Sequence, residues 1–295
     1  MELSILNNEK NTIIQDTIKL MAKYDPYKNS DICQIKIDET EITKDWLETI
    51  ELLAQTSRSR IIKANMNICK EEQQKIVILK LSNNDSLYKE YLIGRYMSKK
   101  NPNFMNYTCY FQCDDQLNKY NKKSIKKYLC NGKGDELKIL IMPFYKLGSF
   151  KDFSWKSVEK KILVSCTAQI LAAYLYAYNN IGFLHNDCHL GNILIDETTE
   201  KEFIYKINDE IINIPVFGYK IIIMDYETTL FDRQKVNSII LIKDILKLIT
   251  DIIHKNEVDS YFYKTNIKIN SLLVKNNYID LVNIIKYLLS SLDEL

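Results

Sequence analysis

At 295 residues, 46% of them hydrophobic, the chain is long enough for one large domain or two lobes with separate cores. Its 40 Lys and Arg against 38 Asp and Glu leave a formal net charge of +2, which excludes broad electrostatic binding to nucleic acid or an anionic membrane. The 7 cysteines are odd in number and lack a C-x-x-C, which argues against a disulfide framework or zinc site and for a reducing, intracellular compartment.

Residues 1–45 are polar with short helical patches, read as an N-terminal extension, and "MELSILNNEK" lacks the apolar core of a signal peptide. From Ile50 the pattern predicts strands, with "IELLAQ", "RIIKANMNI" and "KIVILKLS" separated by polar turns. "SLYKEYLIGRYMSKK" (Ser86–Lys100) has helical spacing, with Ser86 as N-cap. Two further strands, "YTCYFQC" and "ELKILIMPF", complete a small antiparallel sheet carrying one helix. Between them, "NKKSIKKY" (Asn121–Tyr128) is a solvated turn or a local basic patch.

After Pro143 the character changes. A long apolar helix is predicted over Trp155–Gly182, ended by Gly182. "FLHNDCHLGNILID" (Phe183–Asp196) follows at once, and "EFIYKINDEIINIPVFGYKIIIMDYE" reads as three short strands. The remainder is helical by pattern. Within it, "IILIKDILKLITDII" comes nearest to a membrane span, but Lys243, Asp244, Lys247 and Asp251 interrupt it at helical spacing, so it reads as an amphipathic core helix and no membrane association is expected. The chain thus divides into a sheet-rich part, 46–144, and a helix-rich part, 145–295.

The segment Phe183–Asp196 sets two histidines, two asparagines and aspartates between apolar runs. It is either a solvated loop, with Asp187 capping a turn and Asn192 holding a left-handed position, or a catalytic loop held rigid by its flanks. His185, Asp187 and Asn192 fit H-x-D-x-x-x-x-N, and downstream the apolar run "IIIMDYE" ends in Asp225. In the catalytic reading Asp187 accepts a proton from an attacking hydroxyl. Asn192 and Asp225 offer oxygens to Mg²⁺, a hard cation that bridges phosphate oxygens during phosphoryl transfer.

This set resembles the protein kinase superfamily. The resemblance implies an α+β, two-lobed fold, with a small antiparallel-sheet N-lobe carrying one main helix and a helical C-lobe. It implies ATP and Mg²⁺ as cofactors, with Lys80 of "KIVILKLS" holding the α and β phosphates and pairing with Glu90, the one carboxylate of the following helix. "LAQTSRSRIIKA" aligns on the glycine-rich loop, with Ala54, Thr56 and Ser59 at the glycine positions and Ile61 packing on adenine. These residues are small but lack glycine's freedom at positive φ, and Arg58 or Arg60 either compensates by charge or is solvated. "LIMPFYKLGSF" resembles the hinge, with Met142 as gatekeeper, the Pro143 carbonyl and the Tyr145 N–H pairing with adenine.

Within the superfamily, His189 stands two after the catalytic aspartate, the metal motif is D-Y-E (Asp225, Tyr226, Glu227), and no A-P-E follows. These features are similar to haspin-type kinases and to divergent kinases of large DNA viruses. They imply a Ser/Thr protein kinase with a short or absent activation segment, an F helix at "IKDILKLI" whose Asp244 braces the catalytic loop, a protein substrate and a monomeric state. A viral source would add the virion to a cytoplasmic or nuclear location. Two other readings stand beside it: a small-molecule kinase of the choline or aminoglycoside type, which shares H-N-D and D-[FW]-E motifs, and a non-catalytic nucleotide-binding scaffold.

Overall fold

The computed structural model describes residues 47–67, 74–121, 129, 134–231, 238–256, 267–268, 271 and 281–294. The N-terminal extension, nearly all of the basic turn at 121–128 and the connections within the last helical part lie outside the described residues. The fold is mixed α+β. The chain separates into two compact units, one of residues 1–99 with 106–144, the other of residues 100–105 with 145–295.

The first unit is built on a five-stranded antiparallel sheet. Its strands are β1 (Leu47–Gln55), β2 (Ser59–Asn67), β3 (Gln74–Ser82), β4 (Cys109–Asp114) and β5 (Glu136–Pro143), in the order β1-β2-β3-β5-β4. Helix α1 (Ser86–Lys100) joins β3 to β4. Side chains alternate across a strand, so β3 sends Val77, Leu79 and Leu81 into an apolar core with Ile62, Ala64, Phe111, Ile139 and Ile141. Lys80 lies on the opposite face. Ser86 is the first helical residue rather than the cap; the preceding Asn84 takes that part, its Oδ1 accepting the Ser86 N–H at 3.0 Å.

The second unit centres on α2 (Lys160–Ile181). The predicted start at Trp155 is displaced: Trp155–Ser157 forms a separate 3₁₀ turn, and the indole N–H donates to the Phe150 carbonyl at 3.0 Å. Gly182 ends α2 in the left-handed region (φ 73°), its N–H turned back onto the Ala177 and Tyr178 carbonyls. By length and composition α2 could cross a membrane, but here it is buried inside the unit. Its polar side chains are spent on strands: Ser165 donates to the Pro215 carbonyl, while Gln169 donates to the Tyr219 carbonyl and accepts the Ile221 N–H.

Three short ladders complete this unit. β6 (Phe183–Leu184) pairs with β11 (Leu230–Phe231), β7 (Ile193–Glu197) with β10 (Tyr219–Ile223), and the hairpin β8 (Glu202–Ile207) and β9 (Glu210–Pro215) pairs with itself, all antiparallel. Helix α3 (Ser238–Asn256) is amphipathic as expected: Leu241, Ile242, Ile245, Leu248, Ile249 and Ile252 are buried, while Lys243 and Lys247 are exposed. Helix α4 (Leu281–Ser290) packs against α2.

One cysteine departs from the reduced state expected of the chain. Cys113 on β4 is disulfide-bonded, whereas Cys109, Cys166 and Cys188 are free. Spacing along the chain did not announce the bond, because a disulfide depends on Cα atoms brought close by the fold.

Candidate active site

In the first unit the strand register collects four of the sequence-predicted residues on one face. Ala54 pairs with Ile61, Ile61 with Lys80, and Lys80 with Leu140, two residues before Met142 on the same strand. Directly paired residues share a sheet face. Lys80 is buried, and its Nζ meets Glu90 Oε2 of α1 at 2.7 Å. The other carboxylate oxygen accepts from the Tyr107 hydroxyl at 2.5 Å, a short charge-assisted bond. Tyr107 and Glu90 are fully buried too. No motif pointed to Tyr107, which stands two residues before β4.

The β1–β2 turn departs from the expected phosphate cradle. Thr56 Oγ1 accepts the N–H groups of Arg58 and Ser59 at 3.2 and 3.0 Å, and the Thr56 N–H donates to the Ser59 carbonyl at 3.0 Å. The turn thus spends three of its own N–H groups on itself, as Ser and Thr hydroxyls do in tight turns. Arg60 is neither solvated nor an open charge. It is buried, with Nε donating to the Tyr120 carbonyl at 2.8 Å and Nη1 to the Thr56 and Ser59 carbonyls at 2.5 and 2.9 Å. Arg58 stays exposed. Pro143 pairs with Val77 and so lies on the face away from Lys80.

In the second unit His185 to Asn192 form a loop whose backbone is held from several sides. His185 is buried, and its Nε2–H donates to the Met224 carbonyl at 2.8 Å. Burial pushes its pKa below the ordinary histidine value, with that hydrogen bond opposing, so the ring stays neutral. The Met224 N–H returns to the Asn192 carbonyl at 3.0 Å. The loop and the segment that leads from β10 to Asp225 are therefore laid against one another. Asn186 adopts the left-handed region (φ 62°), and its N–H donates to Asp244 Oδ2 of α3 at 3.3 Å. Burial raises the Asp244 carboxyl to about 6, against the opposing Asn186 hydrogen bond. The Thr228 hydroxyl donates to the His185 carbonyl at 3.1 Å.

The side chains of Asp187, His189 and Asn192 stand on this frame. The Asp187 side chain is 47% exposed and that of His189 40%, with His189 Nε2 3.9 Å from Asp187 Oδ2. His189 Nδ1 accepts the Gly191 N–H at 3.1 Å, which leaves the ring proton on Nε2, toward Asp187. A Cβ on Gly191 would sit 3.0 Å from that imidazole, so the glycine makes room for the ring. Asn192 spends its amide N–H on the Asp187 carbonyl at 3.1 Å, which leaves Oδ1 as an oxygen of the hard type that Mg²⁺ takes. Asp225 is in the left-handed region (φ 66°), a conformation concentrated at functional sites. Both side chains carry oxygens of the kind Mg²⁺ takes.

Tyr226 has a role the sequence reading did not assign. Its fully buried ring packs among Phe104, Phe183 and His185. Its hydroxyl donates to the Ile223 carbonyl at 2.5 Å and accepts the Met105 N–H at 2.8 Å. Phenylalanine could fill the space but make neither bond. Tyr145 also belongs to this unit; its carbonyl accepts the Gly148 N–H, and burial pushes its phenol up to about 12. Between β11 and α3 lie only residues 232–237, so the chain passes from the metal motif to the helix bearing Asp244 with little intervening length.

The fold is mixed α+β and compatible with a kinase-like one. Sequence comparison agrees over part of the chain. It is similar to the serine/threonine-protein kinase haspin of Bos taurus, 31% identical over 90 residues, which cover 29% of this chain and 12% of that protein. Haspin of Mus musculus is 35% identical over 66 residues, 22% of this chain and 9% of that protein. The uncharacterized protein 098R of Invertebrate iridescent virus 6 is 33% identical over 75 residues, 24% of this chain and 12% of that protein. The matched segments thus span between 9% and 12% of the relatives' length. No family model matches the chain.

Proposed function

We propose that the chain is a two-lobed kinase-type enzyme, with lobes at 46–144 and 145–295, that transfers the γ-phosphoryl group of ATP to a Ser or Thr hydroxyl of a protein. The observation that carries this reading is the pair of hydrogen bonds joining the Asp187 loop, through Met224, to the segment between β10 and Asp225. A solvated loop would not need a buried histidine and a reciprocal backbone bond to hold it. The partial similarity to haspin favours a protein acceptor over choline or an aminoglycoside.

In this reading Asp187 takes the proton of the acceptor hydroxyl as its oxygen bonds to the γ-phosphorus, while the bond from that phosphorus to the β-phosphate oxygen breaks and ADP leaves. The His189 Nε2–H faces the Asp187 carboxylate and steadies its charge. Asn192 and Asp225 would hold Mg²⁺, which when bound would neutralise charge on the phosphate oxygens. Lys80, oriented by Glu90, takes the α and β phosphates, and Ala54, Ile61 and Met142 border the base. Thr56 and Ser59 shape the turn over the phosphates without freeing its N–H groups.

The catalytic loop is braced by Asp244 and Thr228, and Asn186 offers no guanidinium for a phosphorylated loop. With little chain between β11 and α3, the enzyme is active as made, and phosphatase treatment leaves its turnover unchanged. The metal assignment is tested by thermal shift. ATP raises the melting temperature more with Mg²⁺ than with EDTA, and Asp225→Asn abolishes the difference. An undiminished difference in the variant removes Asp225 from the metal site.

A further inference from the structure

The Lys80–Glu90 pair has a third member. Glu90 has one carboxylate oxygen against Lys80 of β3 and the other against the Tyr107 hydroxyl, beside the start of β4. In the sheet β5 lies between β3 and β4, and the Thr108 N–H donates to the Ile141 carbonyl of β5 at 2.8 Å. One carboxylate of α1 is therefore gripped from both flanks of β5. All three side chains are buried, where a carboxylate lacking a donor on one oxygen is costly. A lysine alone would leave α1 free to turn about a single ion pair; two donors on the two oxygens fix the carboxylate plane.

We infer that Tyr107 is a positioning residue for nucleotide binding: its hydroxyl holds Glu90 in the orientation that presents Lys80 to the phosphates, with no modification needed to bring α1 into place. This rests on the kinase reading above. It also explains why a tyrosine is fully buried at a position where phenylalanine would pack as well. The hydroxyl is spent on the one carboxylate of the helix.

The test is a binding series with ATP, ADP and adenosine on wild type, Tyr107→Phe, Glu90→Gln and the double variant, with folding followed by circular dichroism. Tyr107→Phe is expected to weaken ATP and ADP about tenfold, the scale of losing one hydrogen bond to a charged group. Adenosine, with no phosphate for Lys80 to meet, binds as before. Glu90→Gln shows the same phosphate-selective loss, and adding Tyr107→Phe to it changes little further, because the two act through one contact. Equal weakening of adenosine would reduce Tyr107 to general packing, and a fully additive double variant or an unchanged ATP affinity would also overturn the inference. Glu90→Gln keeps the phenol in place, so it reads the same contact should the Phe variant not fold. A wild type that binds no nucleotide at all removes the kinase reading itself and this inference with it, an outcome distinct from a wild type that binds and a variant that matches it.

Discussion

The two units fix their functional groups by opposite means. In the first, the functional side chains are themselves the structure: Lys80, Glu90 and Tyr107 are buried and bonded to one another. In the second, the backbone is fixed and the side chains are left available. His185, Asn186 and Asn192 tie the loop to Met224 and Asp244, while Asp187 and His189 stay about half exposed. A group that orients a bound phosphate gains from rigidity. A group that takes a proton from a macromolecular substrate has to reach solvent. The difference predicts that breaking the buried Lys80–Glu90 pair costs stability as well as nucleotide binding, whereas loss of the half-exposed Asp187 carboxylate registers in turnover alone.

The largest expected effect falls on turnover. Asp187→Asn keeps size and removes proton acceptance, so phosphoryl transfer falls by at least about 10², the scale of general-base loss. The denaturation midpoint stays close to wild type, since a half-exposed carboxylate contributes little to folding. A large loss of stability with activity intact would invert the comparison.

Lys80→Met should register in stability as well as in nucleotide binding. It leaves Glu90 buried without its lysine, a change that costs about 3–5 kcal/mol. Urea denaturation measures it, and Lys80→Met with Glu90→Leu should recover part of the loss by removing the stranded charge. Equal stability of wild type and Lys80→Met would show that the pair does not hold α1.

Tyr226→Phe sharpens the contrast within the second unit. It removes the hydroxyl between Ile223 and Met105 at a cost of about 1 kcal/mol. Because Asp225 precedes it directly, the Mg²⁺-dependent part of the ATP thermal shift shrinks as well. A variant with the full Mg²⁺ effect would separate the hydroxyl from the metal motif.

The smallest effect is one of pH. Asp244 titrates at about 6 in the folded protein against 3.8 ordinarily, chiefly because burial penalises its charge. Between those values the folded chain holds a proton that the unfolded chain has released. Its contribution to stability is therefore complete below about 3.8 and is lost as pH rises through about 6. Asparagine does not titrate, so the melting temperature of Asp244→Asn relative to wild type should climb from pH 4 to pH 6 and then level off. A constant difference would mean that the carboxyl is not shifted.

What was legible in the sequence follows from range. The helix Ser86–Lys100 and the five strands of the first unit were readable because alternation and helical period are local patterns. The segment Phe183–Asp196 was readable as a distinct loop because its polar residues sit close together between apolar runs. Contacts that depend on the fold were not. Tyr107 meets Glu90 across the sheet, Arg60 reaches the Tyr120 carbonyl from β2, and the two-residue β6–β11 ladder is too short to carry a pattern. The start of α2 was misplaced because Trp155 is apolar enough to extend the helical period, yet its indole is used to close the preceding turn onto Phe150.

The central claim is transfer of phosphate to a protein hydroxyl through Asp187. It is tested most directly by incubating the protein with γ-labelled ATP and Mg²⁺ alongside histone, casein-like and basic protein acceptors, with choline, ethanolamine and aminoglycosides in parallel. Label on Ser or Thr of a protein acceptor, lost with Asp187→Asn, is the predicted result. Label on a small molecule alone, label undiminished in the variant, or no transfer to any acceptor would contradict it.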